Sequence, residues 1–235
     1  RGPWVMSKAS SPFGRDQQLY DSSFGWRFIH PKMKEMYGVD AMGETAENLA
    51  ELHKISREDQ DAFAMHSQQK ASAAQAKGRF DLEIAPLEIP QKKGDAKIFS
   101  QDEFVRKDTN MESLAKLKPA FKSNGTVTAG NASGLNDGGA AILIASENGV
   151  KQHSLKPLAR IVSNGAAGVQ PRIMGIGPVE ASAIALKKAG LKLDQIDIIE
   201  LNEAFAAQVL SCTRAWQIAD NDPRLNPNGG AIALG

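Results

Sequence analysis

Residues Asp197-Ile-Ile-Glu-Leu-Asn-Glu-Ala-Phe205 contain the clearest fold signal in this chain of 235 residues. Residues 196–201 predict a buried strand, and a helix is expected from Glu203 to about Trp216. Ligands of parallel sheets collect at strand ends, and Asn202 could hold a water or a carbonyl group there. Glu203 could be a general base or a helix N-terminal charge, although an isolated Asn-Glu pair is more often a helix cap.

Strands and helices also alternate upstream of this stretch. Residues 140–145 form a continuous apolar run that predicts a strand buried on both faces, and 158–162 predict another strand. Pro178 opens a helix that is expected to end before Gly190. Because strands alternate with helices, the sequence predicts an α/β fold with a parallel sheet.

The first half of the chain is more helical. Residues 44–78 predict two helices, the second of which is capped by Ser56. A strand is expected over 82–89, followed by a turn at 92–94. The caps at 108–110 then predict a short helix through Leu117.

The composition excludes several classes of protein. With 42% hydrophobic and 23% charged residues and a net charge of +1, it is that of an ordinary globular protein. No apolar run is long enough for a membrane helix, and the charge balance predicts neither a nucleic-acid nor a membrane partner. The single Cys212 is expected to be a buried thiol, and the four histidines lack metal-ligand spacing, so no metal site is predicted. The apolar, glycine-framed run at 229–235 and the absence of an initiator Met suggest an internal piece of a longer protein.

The segment 125–140 consists almost entirely of small residues. Fourteen of its sixteen residues are Gly, Ala, Ser, Thr, Asn or Asp, which allows the backbone to approach a ligand such as a pantetheine chain. Taken alone, the spacing favours a tight, closely packed turn over a ligand site.

A basic stretch precedes that segment. It could be a solvated surface, which is the simpler interpretation, or a polyphosphate site in which the guanidinium of Arg106 makes a bidentate contact with one phosphate. Its cations are Lys92, Lys93, Lys97, Arg106, Lys107, Lys116, Lys118 and Lys122.

Eight segments, in this order and spacing, together resemble the thiolase family. They are MGETAENLA (42–50), ISREDQD (55–61), SQQKA (67–71), KPAF (118–121), 125–138, MGIGP (174–178), NEAFAAQ (202–208) and NGGAIA (228–233). The resemblance implies layered α/β halves with an inserted, mainly helical loop domain, incomplete in this chain. Residues 1–125 would be the CoA-binding loop domain, 126–150 the end of the N-terminal half, and 151–235 part of the C-terminal half.

Within the family, GWRFIHP (25–31) and YGVDAM (37–42) resemble members that use CoA to cleave 3-oxoadipyl-CoA to succinyl-CoA and acetyl-CoA. Acetoacetyl-CoA thiolases typically have His at the position of Ala41. An acetoacetyl-CoA thiolase remains the alternative substrate assignment, and a non-catalytic CoA-binding module is an alternative from another class.

The resemblance also implies roles for individual residues. The nucleophilic Cys, the His and the second Cys of the family fall outside residues 1–235, and Cys212 matches none of them, so the isolated chain is predicted to be inactive. Asn202 would hold the water that completes an oxyanion hole. Arg106 would lie at the nucleotide end of CoA. The other implied substrate and CoA contacts are Met42, Ser113, Leu117, Phe121, Ala129, Gly130, Ser133, Ala204 and Phe205.

The acid end of a 3-oxoadipyl group needs a cation or strong donors, because an unpaired buried carboxylate is unfavourable. Arg27 is the first candidate and His30 the second. The resemblance further implies no tightly bound cofactor, CoA as a substrate, and acyl-CoA as the partner, with neither nucleic acid nor membrane. It also implies a cytoplasmic homodimer or homotetramer.

Overall fold

The computed structural model describes residues 2–23 and 25–235. Near the N-terminus, β1 (Trp4–Met6) pairs antiparallel with β2 (Leu19–Asp21), with Val5 opposite Tyr20. Helix α1 (Pro31–Tyr37) follows.

Two longer helices form the framework of the first half. Helix α2 spans Met42–Leu52, and α3 spans Arg57–Ala76. The hydroxyl of Ser56 accepts the Asp59 backbone N–H at 3.0 Å, as the capping signal predicts. The helices expected over 44–78 are therefore confirmed.

A hairpin and a short helix connect α3 to the small-residue segment. Strands β3 (Leu87–Ile89) and β4 (Lys97–Phe99) pair antiparallel, and Gly94 adopts φ +82° in the turn between them. Only the last three residues of the strand expected over 82–89 are extended. Helix α4 (Met111–Ala115) begins after Asn110, whose side chain caps it, and ends before Leu117.

The second half contains helices joined by irregular chain. Helix α5 spans Glu147–Gln152, and a 3₁₀ turn over Pro171–Ile176 leads into α6 (Gly177–Ala189). As expected, α6 ends at Gly190, which adopts the left-handed conformation. A 3₁₀ turn over Leu193–Gln195, α7 (Ala206–Ala215) and α8 (Ala231–Leu234) complete the described chain.

The hydrophobic core lies between α2, α3 and α7. Helix α7 is its centre, because eight of its ten residues are buried. The buried cluster consists of Ala50, Ile55, Phe63, Ala64, Leu114, Ala206, Ala207, Val209, Leu210, Leu225 and Ile232. The site described below is built on these packed helices.

Three of the predicted strands are wrong as elements of this structure. Residues 140–145 and 158–162 are irregular and exposed; Leu143 is 79% and Leu158 99% accessible. In the segment 196–201, only Ile199 makes a bridge, parallel to Leu225. A buried parallel strand needs neighbouring strands that satisfy its N–H and C=O groups, and the described residues place none beside these runs.

The predicted helix start at Glu203 is also wrong, because α7 begins at Ala206. Phe205 is extended and pairs with Ala132, which delays the helix by three residues. Among the described residues, no helix is long and apolar enough to cross a membrane.

Candidate active site

The small-residue segment pairs with the chain that precedes α7. The backbone N–H of Ser133 donates to the Ala204 carbonyl at 3.0 Å, and the N–H of Ala206 donates to the Asn131 carbonyl at 2.9 Å. Ala132 and Phe205 form an antiparallel bridge between these two contacts. Asn202 is exposed and lies only two residues before Ala204. The two strongest sequence signals therefore meet at one place.

A buried carboxylate fixes the beginning of this segment. Glu47 on α2 is 5% exposed, and its oxygens accept the backbone N–H groups of Thr126 at 2.9 Å and Val127 at 2.8 Å. The Thr126 hydroxyl donates to the same carboxylate at 3.1 Å. Sequence reasoning missed this role of Glu47, and its position on the apolar face of α2 is the only signal that could have shown it.

A second buried carboxylate joins the segment to α3 and α4. Asp61 accepts Arg57 Nε at 2.7 Å on one oxygen and Asn131 Nδ2 at 2.9 Å on the other. The Nη2 group of Arg57 donates to the carbonyls of Leu114 at 2.6 Å and Leu117 at 3.0 Å. This network was also missed, although Arg57 and Asp61 have the i, i+4 spacing of a helical ion pair.

Gly130 packs directly against α4. A Cβ at this position would lie 2.5 Å from Leu117 Cδ1 and 2.6 Å from Leu114 Cδ2, which is closer than real atoms approach. Ala129 beside it is exposed. Ser113 faces the N-terminus of α4 and uses its hydroxyl to donate to the Asn110 carbonyl at 2.8 Å. Gly130 and Leu117 are therefore in contact, whereas Ser113 is a capping residue in this structure.

Two predicted aromatic residues also meet. The rings of Phe121 and Phe205 pack edge to face, with centroids 5.9 Å apart. Phe121 lies over Gly43 at the start of α2, where it leaves no room for a Cβ. Met42 is the adjacent residue and is exposed. The structure thus brings Met42, Phe121 and Phe205 to the same end of α2.

Arg106 stands on the surface near the end of the basic stretch. Its guanidinium lies over the Phe104 ring, 5.8 Å from the centroid, and its backbone N–H donates to Gln68 Oε1 at 2.8 Å. Lys116 and Lys122 pair with the exposed carboxylates of Glu112 and Glu51. These two lysines therefore belong to a solvated surface. Arg106 differs from them, because in the described part of the chain no acid forms an ion pair with it.

A cavity of about 440 Å³ opens beside Met42. Its charged lining residues are Asp40 and Arg172, which form an ion pair of 2.8 Å through Arg172 Nε. The hydrogen bond from Arg172 lowers the pKa of Asp40, and a second bond from Asn48 acts in the same direction. The other lining residues are Gly25, Trp26, Met33, Tyr37, Gly38, Ala41, Met42, Thr45, Pro171 and Met174.

The two residues predicted to bind an acyl carboxylate lie outside this lining. Arg27 donates through Nη1 to the Gly25 carbonyl at 2.8 Å. His30 caps α1, because its Nδ1 accepts the Lys32 backbone N–H at 3.2 Å. Both assignments remain predictions.

Glu203 is a buried hydrogen-bond acceptor and not a helix N-terminal charge. It is 1% exposed; Oε2 accepts from Ser67 Oγ at 2.5 Å and from Ile232 N at 3.2 Å. Its Oε1 accepts from Asn226 Nδ2 at 2.8 Å. Because both oxygens are occupied inside the core, the carboxylate is badly placed to take a proton from a substrate.

Cys212 is a buried thiol, as its position on a helix predicted. Burial raises its pKa to about 11, while a hydrogen bond from Gln208 opposes that shift. A thiol with such a pKa stays protonated at neutral pH and is a poor nucleophile. Across residues 2–23 and 25–235, no group of three or more His, Cys, Asp or Glu side chains could hold a metal ion.

Two family descriptions match the chain. The thiolase N-terminal domain matches residues 6–148, and the thiolase C-terminal domain matches residues 155–235. The chain is 57% identical over all 235 residues to the beta-ketoadipyl-CoA thiolase of Acinetobacter baylyi. It is 52% identical over the same length to the 3-oxoadipyl-CoA/3-oxo-5,6-dehydrosuberyl-CoA thiolase of Escherichia coli. It spans 59% of the length of each of these relatives.

Solved structures show the same fold. The human mitochondrial 3-ketoacyl-CoA thiolase in complex with CoA superposes with a TM-score of 0.85 at 44% identity, covering 100% of this chain and 56% of that one. The acetyl-CoA acetyltransferase of Bacillus anthracis superposes with a TM-score of 0.83 at 41% identity, covering 99% of this chain and 57% of that one. The predicted thiolase-like α/β fold is thereby confirmed. On the evidence of its paired site segments and of these matches over both domains, the chain belongs to the thiolase family.

Proposed function

We propose that the natural protein containing these residues is an acyl-CoA thiolase that cleaves 3-oxoadipyl-CoA. In this reaction the bond between C2 and C3 breaks. The C3 acyl carbon ends on the sulfur of an incoming CoA as succinyl-CoA, and C2 gains a proton and leaves as acetyl-CoA. The names of the two bacterial relatives support this substrate.

One observation carries the proposal: the small-residue segment pairs with the residues that follow Asn202 through the Ser133–Ala204 and Ala206–Asn131 hydrogen bonds. A surface of small residues beside an exposed amide can seat a pantetheine arm and its thioester, because the pantetheine amides need close backbone partners. Glu47 and Asp61 anchor that segment by accepting hydrogen bonds from the Val127 backbone N–H and from Asn131 Nδ2. Such preorganisation of donors is what stabilises charge in acyl transfer.

The residues of this chain then have distinct tasks. Asn202 holds the water that donates to the developing oxyanion, and Phe205 closes over the acyl group together with Met42. Arg106 meets a phosphate of CoA from the surface. The family's nucleophilic Cys and its proton-transferring His and Cys match none of these 235 residues, and Cys212, protonated and buried, does not replace them.

The proposal extends to cofactor and assembly. CoA is a substrate and no other cofactor is tightly bound; the human relative in complex with CoA supports this use. The family resemblance supports a cytoplasmic homodimer or homotetramer that takes part in aromatic-compound breakdown, with no nucleic-acid or membrane partner. Cleavage of acetoacetyl-CoA is the second candidate, which the structure named acetyl-CoA acetyltransferase supports.

The test compares 3-oxoadipyl-CoA with acetoacetyl-CoA in the natural protein, following loss of the 3-oxoacyl thioester on addition of CoA. We expect a higher kcat/KM for 3-oxoadipyl-CoA, and no cleavage by residues 1–235 alone. Asn202→Ala should lower kcat by about 10²–10³, as removal of an oxyanion-hole donor does. Asn221→Ala, at an exposed asparagine after α7, should leave kcat unchanged.

Three results would contradict this proposal. Failure to cleave either thioester would exclude a thiolase, and a clear preference for acetoacetyl-CoA would favour the second candidate. Full activity of Asn202→Ala would remove Asn202 from the oxyanion hole.

A further inference from the structure

The cavity beside Met42 combines apolar walls with a single cation. Its volume of about 440 Å³ is within the range of small-molecule sites. Its large apolar lining side chains include Trp26, Met33, Tyr37 and Met174, and among its lining residues Arg172 alone is positively charged. An apolar chain that ends in an anion matches this distribution.

Asp40 orients the guanidinium of Arg172 without saturating it. The bond runs from Nε to Asp40 Oδ2 at 2.8 Å, and the same carboxylate oxygen accepts Asn48 Nδ2 at 2.7 Å. Within residues 2–23 and 25–235, neither Nη1 nor Nη2 of Arg172 has a hydrogen-bond partner. The free Nη1–Nη2 edge is a two-pronged donor of the kind that binds a carboxylate.

The walls of the cavity are tied to the same ion pair. Trp26 Nε1 donates to the Asp40 backbone carbonyl at 3.1 Å, and Asn48 Nδ2 donates to the Arg172 carbonyl at 2.9 Å. The segment that carries Trp26, the start of α2 and the 3₁₀ turn are thus held together around the cavity. A substrate chain in this cavity would meet Arg172 beside the apolar walls, with its Nε held by Asp40.

We infer that Arg172 binds the terminal carboxylate of the acyl chain, with Asp40 as its positioning residue, and so selects acyl groups that end in an acid. This inference rests on the proposed function and names the specificity residue of the same site. Arg27 and His30 are the competing candidates, but neither lines the cavity. One side-chain nitrogen of each is already hydrogen-bonded to nearby backbone.

The experiment uses the natural protein and two substrates of equal chain length. 3-Oxoadipyl-CoA ends in a carboxylate, whereas 3-oxohexanoyl-CoA ends in a methyl group. For Arg172→Met, we expect kcat/KM for 3-oxoadipyl-CoA to fall about 10- to 100-fold, mainly through KM, the range of a lost charge-assisted hydrogen-bond pair. The value for 3-oxohexanoyl-CoA should change less than about threefold.

Two further variants keep the inference testable if Arg172→Met fails to fold. Arg172→Lys keeps the charge but loses the two-pronged edge, so it should show an intermediate loss that is confined to 3-oxoadipyl-CoA. Asp40→Asn should weaken the same preference because the guanidinium loses its anchor. The matched control is Arg79→Met, which removes an exposed Arg–Glu83 ion pair outside the cavity and should change neither substrate's kinetics.

The outcomes separate this inference from the proposed function. Equal losses for both substrates would assign Arg172 a purely structural role and overturn the inference while leaving the thiolase activity intact. A selective loss in Arg27→Met, with none in Arg172→Met or Arg172→Lys, would transfer the role to Arg27. Failure of the unmodified protein to cleave either substrate would overturn the proposed function and this inference together.

Discussion

Glu203→Gln distinguishes a structural carboxylate from a catalytic one next to Asn202. Glu203 accepts hydrogen bonds from Ser67, Asn226 and the Ile232 backbone, and it is 1% exposed. Glutamine has the same shape but carries one acceptor oxygen and one NH2 group. Whichever way that amide turns, its NH2 faces a group that must donate, either Asn226 Nδ2 or the N–H of Ile232.

The magnitude follows from these contacts. Asn226 cannot turn its amide to compensate, because its Oδ1 accepts Leu201 N at 2.8 Å and its Nδ2 donates to Leu201 O at 2.9 Å. A hydrogen bond to a charged group contributes about 1.5–3 kcal/mol, and an orphaned buried donor costs about 1–3 kcal/mol. We therefore expect Glu203→Gln to lower the free energy of unfolding by about 2–4 kcal/mol.

The assay is urea unfolding of the natural protein and its variants, followed by circular dichroism. Glu200→Gln is the matched control, since it makes the same chemical change three residues away at an exposed position and should shift the free energy by less than about 0.5 kcal/mol. The pH–rate profile of the folded Glu203→Gln protein should keep its shape. Unchanged unfolding together with a fall in kcat of about 10²–10⁴ would refute this reasoning and make Glu203 a general base.

Two other positions offer sharp tests. Gly130→Ala should push Leu117 and Leu114 aside, lower the free energy of unfolding by about 1–3 kcal/mol and raise KM for CoA. The control is Gly149→Ala, where a Cβ meets nothing closer than 3.5 Å, and it should change neither stability nor KM in this way. An unchanged KM in Gly130→Ala would exclude the packed Gly130–Leu117 contact from the CoA path. Cys212 has a pKa of about 11 in the folded protein against an ordinary value of 9.0, so the stability it contributes is complete below pH 9 and lost as pH rises toward 11. The difference in urea midpoint between the unmodified protein and Cys212→Ala should shrink over that interval, and a constant difference would show that the thiol is not buried.

Local signals predicted the helices well. Ser56 and Asn110 cap α3 and α4, and Gly190 ends α6, because a capping side chain or a residue without Cβ acts within one turn of its own helix. The α/β class and the family also follow from residue order alone, since eight spaced segments identify them. Arrangement in space was harder to predict: the runs at 140–145 and 158–162 have the composition of buried strands but lie exposed, because strand formation depends on partners from elsewhere in a sheet.

The chain's residue order was enough to establish its family, the capped starts of α3 and α4, the end of α6, and the two segments, 125–140 and 197–205, in which the site would lie. The three-dimensional contacts added the pairing of Ser133 with Ala204, the support of Glu47 and Asp61, the buried role of Glu203, and the placement of Arg172 rather than Arg27 in the cavity wall. Many of the deciding contacts join residues far apart in the chain: Asn48 and Arg172 are 124 positions apart, and Ser67 and Glu203 are 136 positions apart. Caps and periodicity act over a few residues, whereas burial and hydrogen bonding act between whichever groups the packed helices bring together.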